Sequence, residues 1–426
     1  YNNNEVVNYK FSINRENFKL NLEENYTEII LSINAINEVS FLIRKGDSID
    51  LDYNNYLPVS KSKNNVNKKH DLDYNLIVNK KIFKTKFPNY LMAKGNPLIY
   101  IDNLDSLLMT KSNYKEIIFQ KSKIELNKEI IFLDSLYSNK LISELNYNYN
   151  KSKNYYYSLH ADLKNNKFDN KNKFILNDTL VKFKFYRDFI KDYVINFYNL
   201  KKIKVSDGNI LDYKHAFDII SNSNELGTKS KDFILFNYCE GICKNYNKVE
   251  AIKYLNEYLK ITQNKNLYNK LVKNYSIKNE QLETNSSNDI KVKDSKEKVF
   301  QLQEYLSKSN LVYLDFWASW CAPCREKMPF SKKLEEKYKI RGVNFLYISI
   351  DKNFETWQKA HVKENLANAN SFLATNYPDE NFYKENQLKS IPRYMIFYKG
   401  KLVNSNAPSP DSPEIEKEFE KYLSKN

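Results

Sequence analysis

The chain has 426 residues, 42% of them hydrophobic, and a formal net charge of +15. At about 150 residues per domain it is long enough for two or three domains with buried cores. Its 67 Lys and Arg residues are interleaved with 52 Asp and Glu, and no basic stripe with aromatic residues stands apart, which argues against a nucleic-acid partner. Four cysteines in so long a chain exclude a disulfide-rich scaffold.

The start of the chain shows no secretory signal, because it lacks a charged beginning followed by an apolar stretch. No apolar run has the length of a membrane span. These features fit a cytosolic protein, and they equally fit a protein whose signal or membrane tether precedes this chain.

Residues 1–72 are predicted to form a β-rich N-terminal domain. Three short segments have the apolar runs or the alternation typical of strands: Ile29–Ile33, Phe41–Ile43 and Ile49–Tyr53. Gly46 falls between the last two, so we expect a hairpin there. Residues 58–72 are rich in Lys, Asn and Ser, which predicts an exposed connection.

Residues 73–275 are predicted to form a mainly helical accessory region. Segments 113–126 and 251–261 place apolar residues three and four apart, the spacing of amphipathic helices. Their Tyr and Phe residues follow the same period, so we expect them to pack in a core rather than line a ligand site. Cys239 and Cys243 could be a second redox pair, but their spacing on one helix face favours two packed thiols.

A polar segment at 276–298 is predicted to be a linker, and residues 299–426 a redox domain. Within this domain a strand at 311–317, a helix at 322–338 and a strand at 343–350 follow one another. This alternation predicts a βαβ core.

Cys321 and Cys324 stand where the first of these strands meets the helix. Two thiols at this spacing on the first helical turn can close a small disulfide, and the helix N-terminus favours a thiolate on Cys321. An inert disulfide or a zinc site could use the same motif. A zinc site, however, needs a second compact pair, and Cys239 and Cys243 lie far upstream. We therefore predict a redox-active dithiol with no metal ligands and no cofactor.

The segment Asp315–Cys324, which reads DFWASWCAPC, resembles the active-site segment of the thioredoxin superfamily. Pro329 falls where that family kinks its active-site helix, and residues 390–397 resemble its cis-proline turn and the following strand. The resemblance covers about residues 285–426. It implies an α/β thioredoxin-like fold, with a central mixed sheet flanked by helices.

Two further features make the chain similar to the TlpA/ResA-like thiol:disulfide oxidoreductases. The segment from Phe354 to Phe372 is additional to the segments of a minimal thioredoxin, which suggests an inserted helix and strand. The pattern Gly46–Leu51 resembles a small β-rich domain that often precedes secreted thioredoxin-like domains in Bacteroidota. This resemblance implies a periplasmic or cell-envelope location, with the cytoplasm as the alternative.

The resemblance also implies roles for single residues. Cys321 would be the attacking thiol, exposed at the helix start, and Cys324 the resolving thiol. Asp315 would be a buried acid that relays a proton to or from Cys324, and a solvated charge at the strand end is the less favoured alternative. Four residues would contact the substrate: Trp320, Pro323, Ile391 and Pro392, with a cis bond between the last two.

The chain departs from its relatives at two places near the dithiol. Lys327 stands where the ResA-like branch often has a glutamate, so a base role for the preceding Glu326 is unsafe. The strand at 346–350 lacks the buried lysine that cytosolic thioredoxins place near the acid, so Asp315 is expected to titrate differently. Arg325 is expected to point to solvent, and no charged residue separates the two cysteines, which favours a reductant over a strong oxidant.

The sequence therefore predicts an exported thiol:disulfide oxidoreductase that reduces or exchanges disulfides in protein substrates. An upstream thiol protein would donate the electrons, and the direction of electron flow stays open. The alternative is a periplasmic or surface binding protein, in which residues 1–275 recognise a partner and the thioredoxin-like domain is a scaffold.

Overall fold

The computed structural model describes the following residues: 22, 24–32, 38–47, 51–54, 57–60, 114–168, 176–205, 208–275, 290–367 and 369–424. They fall into two compact units. The first unit holds the described residues up to Asn199 together with Leu226–Ser230. The second holds Leu200–Glu225 and the described residues from Lys231 onward. The connection expected at 58–72 lies outside the described residues from position 61, as does the part of the accessory region up to 113.

The first unit contains short strands followed by long helices. Its strands are β1 Tyr26–Ser32, β2 Glu38–Arg44, β3 Leu51–Asn54 and β4 Leu57–Ser60. Its helices are α1 Tyr114–Ser138, α2 Glu144–Lys164 and α3 Lys184–Phe197. The helix predicted from segment 113–126 is thus confirmed as the start of α1.

The strands pair differently from the expected hairpin across Gly46. β1 and β2 are antiparallel along their whole length, from Tyr26 opposite Arg44 to Ser32 opposite Glu38. β3 pairs with β4 instead. A ladder between two seven-residue strands satisfies more backbone groups than one between β2 and the four-residue β3, so β2 pairs with the longer strand.

Aromatic side chains join α2 to α3 in the first unit. The ring of Tyr156 lies 4.9 Å from the ring of Tyr186 and 5.3 Å from that of Phe189, and all three side chains are buried. The prediction that the helical aromatics pack in a core is confirmed for these residues.

The second unit is built on one seven-stranded sheet. Its strands are β7 Lys291–Lys293, β8 Val299–Gln301, β9 Leu311–Trp317, β10 Val343–Ser349, β11 Ser371–Ala374, β12 Arg393–Tyr398 and β13 Lys401–Asn404, with a separate hairpin of β5 Lys202–Val205 and β6 Gly208–Leu211. Its helices are α4 Tyr213–Ser221, α5 Thr228–Asn245, whose first turn belongs to the first unit, α6 Lys248–Ile261, α7 Lys265–Asn274, α8 Gln303–Leu306, α9 Ala322–Lys339, α10 Phe354–Lys363, α11 Asn381–Glu385 and α12 Glu414–Leu423.

The order of strands in the sheet is β13-β12-β9-β10-β11-β7-β8. β9 is parallel to β10 and antiparallel to β12, so the sheet is mixed. All seven residues of β9 are buried, and all of them except Asp315 are apolar or aromatic, as is typical of a strand covered on both faces. The predicted thioredoxin-like fold is confirmed, and α10 and β11 are the inserted helix and strand.

The predicted linker at 276–298 differs from the structure at its C-terminal end. β7 lies within it and pairs with β11, Val292 opposite Ala374. Ile290 and Val292 are buried, but a strand of three residues is too short to show a recognisable hydrophobic alternation in the sequence. Residues 276–289 lie outside the described part of the chain.

Residues 200–225 and 231–275 share their compact unit with the thioredoxin-like sheet. This division differs from the predicted boundary, which places the whole of 73–275 apart from the redox domain. Side-chain hydrogen bonds make the connection, such as the one of 3.0 Å that Gln387 Nε2 donates to the Tyr246 carbonyl. Polar contacts between distant segments leave no periodic pattern in a sequence. No helix in the described ranges is both long and apolar enough to cross a bilayer.

Candidate active site

The two cysteines of the motif form a disulfide at the start of α9. Their Cα atoms are 5.3 Å apart, and Cys321 caps the helix. The backbone N–H of Cys324 donates a hydrogen bond of 3.2 Å to Cys321 Sγ. When the disulfide is reduced, this N–H and the helix N-terminus face the sulfur that would carry the negative charge, which stabilises a thiolate on Cys321.

Both cysteines are buried in this oxidised state, which corrects the expectation that Cys321 is exposed. Cys321 is 4% exposed and Cys324 3%. Both cysteines belong to the buried core that surrounds β9. Trp320 beside them is 66% exposed, and Pro323 is exposed as well, so the surface next to the disulfide is apolar and accessible.

Asp315 lies inside β9 and is 3% exposed. Burial raises the pKa of its carboxyl group to about 8, although a hydrogen bond of 3.1 Å from Ser331 Oγ lowers it. Its neighbours in the sheet are Tyr347 on β10 and Tyr394 on β12. Asp315 is therefore a buried acid with a raised pKa in the strand that leads to the dithiol, rather than a solvated charge.

The turn between β9 and Cys321 is held by Asp351. The Ser319 backbone N–H donates to Asp351 Oδ2 at 2.8 Å, and Ser319 Oγ donates to Oδ1 at 2.6 Å. Ser349 Oγ also donates to Oδ2, at 2.7 Å. Asp351 follows β10, whose carboxyl end lies beside that of the parallel strand β9, so the side chain reaches the turn directly.

Arg325 does not point freely to solvent, which corrects the expectation for it. Its Nε donates a hydrogen bond of 2.6 Å to Glu364 Oε1 at the end of α10. The side chains are 35% and 16% exposed, respectively. This partner offsets the positive charge that would otherwise act on the thiolate.

The other charged residues of this helical turn differ from each other in their surroundings. Lys327 pairs with Asp411 at 2.7 Å, whereas Glu326 is exposed. Lys327 therefore has a charged partner, and Glu326 is solvated.

The bond between Ile391 and Pro392 is cis, as the sequence predicts. Pro392 is buried and Ile391 half-buried. Arg393 follows them as the first residue of β12 and lies opposite Phe316 on β9. Phe316 and Trp317 end the strand that leads to Cys321, so the proline turn and the disulfide lie at the same end of adjacent strands.

Cys239 and Cys243 are free thiols buried in α5. Burial raises the pKa of both, that of Cys243 to about 12. The Cys239 thiol donates a weak hydrogen bond of 3.8 Å to the Tyr254 carbonyl. Both thiols thus stay protonated at neutral pH, as packed cysteines do.

Sequence reasoning missed three side chains of the site: Ser331, Asp351 and Glu364. Ser331 occupies a buried position on the face of α9 that Cys324 and Met328 share, so a hydroxyl in an apolar stripe was a signal. Asp351 directly follows a buried strand, which was also a signal. Glu364 left none. Within the described ranges, no group of three or more His, Cys, Asp or Glu residues could hold a metal ion.

Residues 309–401 match a family model described as thioredoxin-like. The thiol-disulfide oxidoreductase ResA of Bacillus thuringiensis subsp. konkukian is 37% identical over 60 residues, which are 14% of this chain and 34% of the relative. A thioredoxin of Coprinus comatus is 27% identical over 63 residues, 15% of this chain and 59% of that protein. The chain thus spans about a third of the length of the ResA relatives that it matches.

Among solved structures, a thiol-disulfide oxidoreductase from Bacteroides fragilis NCTC 9343 is similar, with 22% identity and a TM-score of 0.27. The match covers 31% of this chain and 96% of that structure. A thiol:disulfide interchange protein from Bacteroides sp. also has 22% identity, over 32% of this chain and 86% of that one, with a TM-score of 0.28.

Proposed function

Because residues 309–401 form a thioredoxin-like domain, we propose that this chain is a thiol:disulfide oxidoreductase that reduces or exchanges disulfides in protein substrates. One observation carries the proposal: Cys321 and Cys324 are joined in a disulfide at the N-terminus of α9, with a backbone N–H directed at the Cys321 sulfur. This hydrogen bond caps the helix, and in the reduced state it places a donor and the helix N-terminus at the Cys321 sulfur, as a nucleophilic thiolate requires.

The reaction consists of two thiol–disulfide exchanges. The Cys321 thiolate attacks one sulfur of the substrate disulfide, forms a mixed disulfide and releases the other substrate sulfur as a thiolate. Cys324, once deprotonated, attacks Cys321 Sγ and releases the second substrate sulfur. Two electrons pass from the dithiol to the substrate, and the two protons of the dithiol end on the product thiols. An electron-donating thiol protein then reduces the enzyme by the same exchange in reverse.

Asp315 is proposed to accept the proton of Cys324 and to return it in the reverse reaction. Its pKa of about 8 supports this role, since an acid that exchanges protons near neutral pH must have a pKa close to that range. Its burial supports it too, because an ionised carboxylate without a function is costly in a sheet interior.

Substrates are proposed to dock on the apolar surface beside the disulfide. Trp320 and Pro323 are exposed there, and the Ile391–Pro392 turn lies at the same end of the sheet. A proline has no backbone N–H, so the backbone at Ile391 is available to pair with an extended segment of the substrate.

The resemblance to TlpA/ResA-like proteins supports exported proteins as the substrates and the periplasm or cell envelope as the location. The similarity of the matched segment to ResA is in keeping with this. A binding protein with an inactive scaffold remains the competing function, and turnover separates the two.

The test is reduction of insulin disulfides by the full chain with dithiothreitol as the electron source. Cys321→Ser is expected to abolish the protein-dependent rate, and Cys324→Ser to accumulate a mixed disulfide on Cys321 that mass spectrometry detects. Cys243→Ala, which removes a packed thiol, is the control and keeps the rate. A wild-type chain that shows no rate above dithiothreitol alone would favour the scaffold.

A further inference from the structure

The residue that follows the proline turn has a buried guanidinium group. Arg393 is 3% exposed. Its Nε donates a hydrogen bond of 3.0 Å to the Ser405 carbonyl, and one terminal nitrogen donates to the Asn386 carbonyl at 3.4 Å. These bonds tie Arg393, the residue just after Pro392, to Ser405 and Asn386. The residues that contact Ser405 and Asn386 therefore also affect the position of the proline turn.

Both of these residues are held by the first turn of α6, more than 130 positions earlier in the chain. Asn247 Nδ2 donates to Asn386 Oδ1 at 2.9 Å, and the Asn247 N–H donates to Ser405 Oγ at 2.8 Å. Glu250 Oε2 accepts from Ser405 Oγ at 2.6 Å and from the Ser405 N–H at 3.1 Å. Asn247, Asn386 and Ser405 are buried.

The first turn of α6 is itself rigid. Asn247 is the N-cap of the helix, and its Oδ1 accepts from the Glu250 N–H at 2.8 Å. Glu250 Oε1 pairs with Lys214 Nζ on α4 at 2.8 Å. A cap, a partly buried ion pair and four hydrogen bonds to Ser405 and Asn386 thus hold this turn in place.

The hairpin strand β5 is linked to the helix that carries the dithiol through Asp411. Asp411 pairs with Lys204 on β5 and with Lys327 on α9. The Ser409 N–H donates to the Lys204 carbonyl at 2.8 Å. Lys204 is therefore linked to the helix of the disulfide through Asp411, and Asn247 and Glu250 contact the partners of the proline turn directly.

We infer that Asn247 and Glu250 are positioning residues for the Ile391–Pro392 turn, and that they thereby set the affinity for protein disulfides. The inference rests on the proposed function. A protein substrate pairs with the backbone of the turn, so a displaced turn weakens docking. A small disulfide needs only the Cys321 sulfur, so its reaction does not depend on the turn.

The test uses Asn247→Ser in the full chain. Serine caps a helix about as well as asparagine, but it is too short to reach Asn386, so the variant removes the contact and keeps the helix. Asn264→Ser is the matched control. Asn264 is the N-cap of α7, and its side chain accepts hydrogen bonds from Asn266 and Leu267 of its own helix.

Two substrates are compared, insulin as the protein disulfide and 5,5′-dithiobis(2-nitrobenzoic acid) as the small disulfide. For Asn247→Ser, the KM for insulin is expected to rise about 2- to 10-fold, the effect of one buried hydrogen bond, with little change in kcat. The rate with the small disulfide and the reduction potential should match those of Asn264→Ser.

Ser405→Ala is a second variant, because it removes the hydroxyl that Asn247 and Glu250 contact and leaves the carbonyl that Arg393 uses. It should raise the KM for insulin in the same way. Unchanged KM values in folded variants, or equal losses with both disulfides, would overturn the inference and leave the proposed function standing. A wild-type chain that reduces neither disulfide would overturn the proposed function itself.

Discussion

Ser331 Oγ on α9 donates a hydrogen bond to Asp315 Oδ2 on β9 in the interior of the redox domain. Burial raises the pKa of Asp315 to about 8, and the hydroxyl of Ser331 limits the rise because it favours the ionised form. A side chain on the dithiol helix thus tunes the acid beneath it.

This contact predicts the effect of Ser331→Ala on the pH profile. Without the hydroxyl the pKa of Asp315 rises further, so the step that needs its carboxylate requires a higher pH. At pH 7 the rate of insulin reduction should fall about 2- to 10-fold, the effect of one hydrogen bond. Stopped-flow measurements between pH 6 and 10 test this, with Asp315→Asn as the variant in which the inflection near pH 8 is absent. An inflection that persists in Asp315→Asn belongs to another group.

The same pKa predicts how stability depends on pH. The folded pKa of about 8 lies above the ordinary 3.8, so the folded state retains a proton that the unfolded state has lost. The stabilisation is complete below pH 3.8 and disappears as the pH rises through 8, by about 1.4 kcal/mol per pH unit between these values. Denaturant titrations of the oxidised protein at pH 6 and pH 8 measure it. The difference between wild type and Asp315→Asn should change in favour of the variant at pH 8. A difference that is independent of pH would show that Asp315 has an ordinary pKa.

The helix start predicts the order in which the thiols react. After reduction, limiting iodoacetamide should label Cys321 well before Cys324, because only Cys321 Sγ faces the Cys324 N–H and the helix N-terminus. Cys239 and Cys243 are the internal controls, since burial raises the pKa of both and they should stay unlabelled while the protein is folded. Peptide mapping gives the order, and equal labelling of Cys321 and Cys324 would contradict the assigned nucleophile.

The ion pair of Arg325 supports a reducing potential. Ala322 and Pro323 carry no charge, and Glu364 offsets the charge of Arg325, so none of these three residues adds strong stabilisation to the thiolate of Cys321. We expect a potential nearer the roughly −270 mV of thioredoxin than the about −120 mV of DsbA, measured by equilibration with dithiothreitol and glutathione buffers.

The variant Glu364→Gln tests whether the ion pair with Arg325 lowers the reduction potential. It frees the charge of Arg325 to stabilise the thiolate, so the potential should become more positive by about 10–30 mV. Glu355→Gln, which removes an exposed carboxylate at the other end of α10, should have a smaller effect. A wild-type value more positive than about −180 mV would contradict the reducing role.

Limited proteolysis tests the domain boundary that the sequence predicts. Cleavage in the polar segment 276–289 should release a C-terminal fragment of about 15 kDa under denaturing conditions, the size of one small domain. Under native conditions we expect this fragment to elute together with the remainder, because Asn247 and Glu250 bind Asn386 and Ser405. Ser405→Ala should weaken the association. A fragment that separates freely from wild type would show that residues 200–275 belong to a domain apart.

The sequence predicts the centre of the redox domain well because its signals are local. β9 is apolar on both sides of Asp315 and is followed closely by Cys321 and Cys324, and Asp315 stands between Leu314 and Phe316 in a buried strand. An ionisable residue within an apolar strand of this kind is buried together with the strand.

Other parts could not be predicted because their signals are not local. Arg325 and Glu364 are 39 positions apart, and either could have faced water. Asn247 and Asn386 are 139 positions apart and are among the commonest residue types of this chain. β7 has three residues, fewer than any periodic pattern requires.

The contact of Asn247 with Asn386 also bears on biosynthesis. The ribosome synthesises α6 long before Asn386 and Ser405, so the first turn of this helix is exposed to water until these partners are made. During this interval water forms hydrogen bonds with the Asn247 amide and the Glu250 carboxylate, as Asn386 and Ser405 do in the folded protein. An apolar surface in the same place would invite aggregation of the nascent chain during that interval.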